Sequence, residues 1–220
     1  MSPELKIVAH IRTDFKGKFG IPRQSGLVDL EAVVEFEPNF RREEAVRGLE
    51  GFSHLWLLWL FSKSGGSLTV RPPRLGGNAR LGVFATRSPF RPNPLGLSCV
   101  KLLGIERGSC GPKLRVSGAD MADGTPILDI KPYLPYADSH PDATCGFAGE
   151  VQNEKLEVEI SEGELEKIPE AKRSALLELL AEDPRPHYQH DPERLYGFSF
   201  AGFEVRFKVE GKRLTVTEIA

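Results

Sequence analysis

The chain's 220 residues suffice for one full domain with a small appendage or for two modest domains, and 40% hydrophobic with 27% charged residues argues against a disordered or fibrous protein. No apolar run approaches the roughly 20 residues that cross a bilayer, and the opening MSPELKIVAHIR lacks the basic-then-apolar pattern of a signal peptide, so a cytoplasmic protein with no membrane segment is expected. The formal net charge is only −2, and three cysteines at unrelated spacings (Cys99, Cys110, Cys145) fit reduced thiols rather than a disulfide framework or a zinc site.

In chain order, short apolar segments punctuated by Gly and Pro predict strands at Ile7–Ile11, Leu27–Phe36, His54–Phe61, Leu68–Arg71, Leu81–Thr86, Leu97–Ile105, Leu114–Ser117 and Ile127–Lys131. A short helix is predicted over Arg41–Leu49, capped by Asn39 and ended by Gly48 or Gly51. Without long helices between the strands, the pattern favours an antiparallel sheet or barrel over alternating βαβ units. The stretch DSHPDATCGFAG, Asp138 to Gly149, reads as a boundary loop. Beyond it a helix is predicted near Glu162–Glu182, with Ser161 as cap and Pro169 splitting or kinking it. PRPHYQHDPERLYG is a Pro-rich connection, and alternation around Glu210–Gly211 predicts a final β-hairpin. The expected organisation is a mainly β domain over residues 1–140, a single antiparallel β-barrel, followed by a small α+β domain over 141–220.

Charge is distributed unevenly along this frame. From Gly51 to Ile105 there is no Asp or Glu, while Lys63, Arg71, Arg74, Arg80, Arg87, Arg91 and Lys101 all fall there. Such a block of one sign predicts a surface facing an anion, nucleic acid being the commonest large one. The familiar catalytic fingerprints are missing: no G-x-G-x-x-G after a strand, no G-x-x-x-x-G-K-[ST], no H-E-x-x-H and no G-x-S-x-G. His187 and His190 have no third ligand at a sensible spacing, so they read as turn residues and no metal is expected. His54 reads as a strand-end residue, and Cys99 as core rather than nucleophile.

Two stretches exceed what packing needs. In VRPPRLGGNARLGVFATRSPFRPNPLGLS, Pro89, Pro92 and Pro94 fix φ at alternate steps while glycines permit close approach. A backbone pinned this way presents Thr86, Arg87, Ser88, Arg91 and Asn93 in one arrangement without further loss of entropy on binding. In DMADGTPILDIKPYLPYADS, the Asp123–Pro126 turn is followed closely by Asp129, Lys131, Tyr133, Tyr136 and Asp138, polar and aromatic groups of the kind that line clefts.

These two strings, together with VRGLEGFSHLWLLWLF, closely resemble the TrmO (TsaA-like) family of S-adenosylmethionine-dependent tRNA methyltransferases. The resemblance covers essentially the whole chain and is strongest from Pro22 to Asp138. It implies a β-barrel methyltransferase outside the Rossmann class, working as a homodimer. Its implied reaction is methylation of N6 of threonylcarbamoyladenosine at position 37, in the anticodon loop of threonine tRNA. It places S-adenosylmethionine among Pro22, Arg23, Gln24, Ser62, Lys63, Arg87, Leu97, Asp123, Gly124, Thr125 and Pro126; at Ser62 some members carry histidine instead. Arg87 or Arg23 is assigned to the cofactor's carboxylate, and the Asp123–Pro126 turn to polar atoms of its nucleoside. Arg71, Arg74, Arg80 and Arg91 are assigned to the tRNA backbone and Asn93 to the modified base, with Asp123, Asp138 and Tyr133 all open as acceptors of the amine proton. The residues by themselves leave two alternatives standing: a non-catalytic RNA-binding barrel, or a methyltransferase with another acceptor.

Overall fold

The computed structural model describes residues 4–17, 19–61, 66–72, 79–150, 155–185, 191 and 193–220. The N-terminal region forms β1 (Ala9–Arg12), β2 (Glu31–Phe36), α1 (Glu43–Val46), β3 (His54–Leu60), β4 (Thr69–Val70), β5 (Leu81–Gly82), β6 (Leu95–Gly108), β7 (Gly111–Ser117), β8 (Pro126–Pro132) and α2 (Pro135–Asp138). Six of these strands close into an antiparallel barrel in the order β1-β2-β7-β6-β3-β8. The closing seam is short, with Ala9 opposite Ile127 and His10 opposite Pro126. Alternate residues point inward, so Ile11, Val34, Leu55, Leu57, Val100, Leu114, Val116 and Ile127 fill the interior. Each large apolar side chain so buried contributes roughly 1.5–3 kcal/mol. Trp59 also enters this core, and Gly96 on the paired strand makes room for it: a Cβ at position 96 would lie 2.1 Å from the indole. On the outer surface Glu35 of β2 accepts Lys113 Nζ from β7 at 2.7 Å and Arg12 Nε from β1 at 2.8 Å; these two cations hold its carboxyl at a pKa of about 2.

The C-terminal region comprises α3 (Phe147–Glu150), β9 (Glu157–Glu159), α4 (Glu162–Glu166), α5 (Glu170–Ala181), β10 (Tyr196–Phe200), β11 (Phe203–Glu210) and β12 (Arg213–Ile219). Its sheet runs β10-β11-β12-β9, with β9 parallel to β12. Leu176, Leu179 and Leu180 of α5 share one core with Phe198, Phe200, Phe207 and Leu214 of the sheet. Phe15, Val28 and Leu30, from the segment joining β1 to β2, are buried in that same core. The N-terminal segment is therefore packed against the C-terminal sheet and helix as well as against the barrel.

Several local expectations are corrected. Strand β5 stops at Gly82, and Val83–Ala85 turns as a 3₁₀ helix because Thr86 returns both its N–H and its hydroxyl to the Val83 carbonyl. Strand β2 starts at Glu31 rather than Leu27, since Val28 and Leu30 belong to the other core. The Arg41–Leu49 helix shrinks to the four residues of α1; Asn39 lies in a 3₁₀ turn over Pro38–Phe40 and caps nothing, and Gly48 takes φ +86°. Pro169 splits the long C-terminal helix into α4 and α5, and the Ser161 hydroxyl accepts the Glu164 N–H at 3.3 Å. The capping box is half made, because the Glu164 carboxylate takes Lys167 and the Ile219 N–H instead. The last hairpin forms as expected, with Glu210 opposite Arg213 around Gly211 at φ +57°.

Candidate functional site

Register fixes where the predicted residues emerge. Leu60 pairs with Leu95, Trp59 with Ile127, His10 with Pro126 and Glu31 with Ser117. The segments 13–30, 61–94 and 118–125 therefore all leave the barrel at one rim. Among the described residues, Pro22, Arg23, Gln24, Arg71, Arg80, Arg87, Arg91, Asn93, Asp123, Gly124 and Thr125 fall in these segments, and Leu97 and Pro126 lie near the starts of β6 and β8. Ser62, Lys63 and Arg74 lie outside the described residues, as do His187 and His190. Among the described residues no His, Cys, Asp and Glu cluster could hold a metal, and no helix is long and apolar enough to cross a membrane.

At the rim the structure brings Gln24 and Arg87 together: Arg87 Nη1 donates to Gln24 Oε1 at 2.5 Å, and Gln24 Nε2 donates to the Arg23 carbonyl at 2.6 Å. Arg23 itself reaches the other way and donates through Nη2 to the Asp183 carbonyl of the C-terminal region. Leu97, at an outward position of β6, is 56% exposed. The loop behind Gln24 is pinned by a residue the sequence reading passed over. Asp120 accepts the Ser98 hydroxyl at 2.5 Å and the Ser25 N–H, while Ser98 in turn accepts the Trp59 indole N–H at 2.9 Å. Ser25 also takes the Cys99 N–H at 3.1 Å. Burial pushes the Asp120 carboxyl above its ordinary range, against the opposing pull of Ser98, the backbone amides and the Arg87 charge. An acid beside Ala119 and Met121, both buried, is the one sequence signal that could have drawn attention to it.

The Asp123–Pro126 turn lies against the end of β1. Asp123 N–H donates to the Phe15 carbonyl at 2.9 Å and Gly124 N–H to Ile11 at 2.8 Å; Ile11 N–H returns to Thr125 at 3.1 Å. Asp123 Oδ1 accepts the Thr13 N–H at 3.1 Å, and Oδ2 meets Lys16 Nζ at 2.7 Å. Burial opposes ionisation of Asp123, but Lys16 and the Thr13 amide outweigh it and the carboxyl ends below its ordinary value. The turn thus ties β8 to the end of β1, with the Thr125 hydroxyl also closed onto the Ala122 carbonyl at 2.7 Å. Asp123 faces a cleft of about 830 Å³ between this seam and α5, shared with Arg12, Lys16, Asp29 and Lys172; Gln24, Arg87 and Leu97 do not line it. Asp138 accepts the Leu134 N–H and the Trp56 indole N–H, which lower its pKa, and Tyr133 packs against the Trp56 ring.

The cations divide into two populations. Arg12, Arg107, Lys113, Arg115 and Arg206 all meet carboxylates. By contrast, none of Arg71, Arg80, Arg87, Arg91 and Lys101 lies within 4 Å of a carboxylate among the described residues. Arg80 donates to the Thr69 hydroxyl at 3.1 Å, and Arg71, Arg80 and Arg87 are exposed, as is Asn93. Arg91 is the exception in role. It is half-buried and its Nη1 staples its own loop, donating to the Thr86 carbonyl at 3.0 Å and the Ser88 carbonyl at 3.5 Å.

Both halves of the chain match family descriptions, tRNA-methyltransferase O N-terminal domain over residues 10–139 and TrmO C-terminal domain over residues 153–220. The chain belongs to the TrmO family. It is 44% identical over 211 residues to the tRNA (adenine(37)-N6)-methyltransferase of Escherichia coli K12, covering 90% of each protein. It is also 44% identical to a Pseudomonas aeruginosa protein described as a putative S-adenosylmethionine-dependent methyltransferase, covering 94% of this chain and 93% of that one. The crystal structure of TrmO from P. aeruginosa superposes with a TM-score of 0.82 at 38% identity, over 100% of this chain and 97% of the other. The TrmO assignment and the closed antiparallel barrel agree with the sequence expectation, and the chain is an S-adenosylmethionine-dependent methyltransferase.

Proposed function

We propose that this protein transfers the methyl group of S-adenosylmethionine to N6 of adenosine 37 in tRNA, with N6-threonylcarbamoyladenosine in the anticodon loop of threonine tRNA as the acceptor, acting as a cytoplasmic homodimer. The observation that carries the reading is the set of exposed cations, Arg71, Arg80 and Arg87, that have no acidic partner among the described residues and lie on the segments around the Gln24–Arg87 pair. A cation left without a carboxylate is a ready partner for an anionic ligand, and arginine's planar fork suits carboxylate and phosphate alike.

The residues present fit the cofactor. Arg87 is exposed and held in place by Gln24, so it is the group to meet the methionine carboxylate; Arg23 is engaged by the Asp183 carbonyl. Leu97 offers exposed apolar surface near the start of β6, and Pro22 precedes the Arg23–Gln24 pair in the loop. Ser62 and Lys63 follow β3 in the chain. Asp123, Gly124, Thr125 and Pro126, which also fix the β1–β8 seam, offer the turn's polar atoms to the cofactor's nucleoside. Bound there, the cofactor would supply an electrophilic methyl for displacement by N6, the bonding pair leaving on sulfur and the N6 proton passing to water. Asp123 and Asp138 are both held ionised below the ordinary carboxyl value, which makes them weak bases, so the protein's main contribution is in-line alignment. Arg71, Arg80 and Lys101 then meet phosphates, with Asn93 at the base.

The test is methyl transfer to threonine tRNA carrying or lacking the threonylcarbamoyl group, read by mass spectrometry of digested nucleosides. The expected product is the methylated threonylcarbamoyl nucleoside alone. Methylation of unmodified adenosine would refute the acceptor, and absence of cofactor binding by calorimetry would leave a non-catalytic RNA module. Light scattering checks the dimer.

A further inference from the structure

The acid-free stretch also displays exposed apolar side chains, and of these methyl transfer as described uses Leu97 alone. Among the described residues, six of the eleven exposed large hydrophobics fall between Leu68 and Leu103, inside the acid-free cationic stretch. Two are aromatic: Phe84 is 77% exposed and Phe90 53%. Isolated exposed apolar residues are ordinary, but these two sit on a segment whose backbone is closed on itself. Thr86 N–H returns to the Val83 carbonyl at 3.1 Å, Ser88 N–H to the Thr86 hydroxyl at 3.3 Å, and Phe90 N–H to the Ser88 hydroxyl at 3.2 Å. Arg91 N–H bonds the Pro89 carbonyl at 2.9 Å while its guanidinium holds those of Thr86 and Ser88. Val83, buried beneath, anchors the segment. A rigid scaffold with its two largest apolar groups turned to solvent has already lost the entropy that binding would otherwise cost.

We propose that Phe84 and Phe90 are a stacking platform for unpaired nucleobases, so that this face reads a single-stranded RNA loop through ring contacts as well as through charge. The inference rests on the tRNA reading above and deepens it. Charge complementarity selects RNA over a second copy of this chain. In a two-fold interface the patch would face itself, and Arg80, Arg87 and Lys101 would meet their own like charges with no carboxylate in residues 51–105 to neutralise them. An RNA loop presents both complements at once, phosphates for the guanidinium groups and base faces for the rings.

The experiment compares wild type, Phe84→Ala, Phe90→Ala, the double alanine variant and Phe84→Trp. It measures tRNA affinity by filter binding across a salt series, cofactor affinity by calorimetry, mass by light scattering, and 2-aminopurine fluorescence from a probe in the anticodon loop. The double variant should lose about ten- to a hundred-fold in tRNA affinity, the range expected for losing one or two stacked bases. Its salt slope and cofactor affinity should stay unchanged, and the quenching of 2-aminopurine should be lost. Phe84→Trp should retain binding and quenching. Unchanged tRNA affinity in the double variant, while wild type binds and methylates, overturns the platform alone. A change in mass on substitution overturns it in favour of a protein contact. Wild type that binds no tRNA brings down the functional reading and the platform together.

Discussion

Between Gly96 and Asp120 a chain of single atoms connects the barrel core to the rim. The Trp59 ring fills the space above Gly96, its indole N–H reaches Ser98, and Ser98 reaches Asp120, which holds the Ser25 amide behind Gln24. Gly96→Ala would put a methyl 2.1 Å from the indole. Its expected cost is about 3 kcal/mol of stability, through overpacking and the lost Ser98 bond, measured by urea unfolding with the near-ultraviolet tryptophan signal altered. Asp120 carries a pH prediction. Its carboxyl is raised above the model-compound value of 3.8 chiefly by burial, so the folded state holds that proton more tightly than the unfolded chain does. Its favourable contribution is full below 3.8 and is lost as pH rises through the folded value. Asp120→Asn removes that dependence. Whatever fixed offset the substitution brings, thermal melts should show the gap to wild type moving in the variant's favour as pH rises from 3 to 7; a gap constant with pH would count against this account.

The elements show how sequence pattern and local chemistry divide the work. Strands β1, β3, β6, β7 and β8 fall where alternation put them, because an inward Leu or Val every second residue makes any other register expose the core set. The 83–95 loop does not follow its apolar pattern. Val83 and Phe84 read as strand, yet the hydroxyls of Thr86 and Ser88 and the Arg91 guanidinium offer the backbone competing partners and close it into turns. Arg91 in particular reads as a phosphate ligand from its charge and neighbours, and only the folded loop shows its donors turned inward. Arg91→Ala should therefore act through loop order. Charge-assisted hydrogen bonds of this kind are worth about 1.5–3 kcal/mol, so amide exchange at Thr86 and Ser88 should accelerate by roughly ten-fold or more. The salt slope of tRNA binding should fall less than on substituting Arg80.

Across the whole molecule, the segment joining β1 to β2 ties the barrel rim to the C-terminal core. Near its ends, Phe15, Val28 and Leu30 are buried in the core of the C-terminal sheet, a Cβ on Gly20 would strike the Phe198 ring at 2.3 Å, and its middle holds Gln24 against Arg87. Lys172 of α5 adds an ion pair to Asp14 at 2.6 Å. We expect residues 1–140 expressed alone to melt well below the full chain, to bind the hydrophobic dye ANS and to hold the cofactor more weakly, because three apolar side chains lose their cover at roughly 1.5–3 kcal/mol each. Equal melting temperatures would show the two regions to be energetically independent.

By itself the sequence determined the barrel strands, the break at Pro169, the family and the cationic rim, since these follow from period-two burial, from proline's fixed φ and missing N–H, and from a long acid-free run. Only the tertiary structure decided the partners: Arg91 on its own loop, Arg23 on the Asp183 carbonyl, Asp123 on Lys16, and Asp120 on the Ser98 hydroxyl and the Ser25 amide. The physical reason is range. Backbone preference and burial period are properties of a few neighbouring residues, whereas a guanidinium or a carboxylate takes the partner that folding delivers to it from as far as 160 positions away.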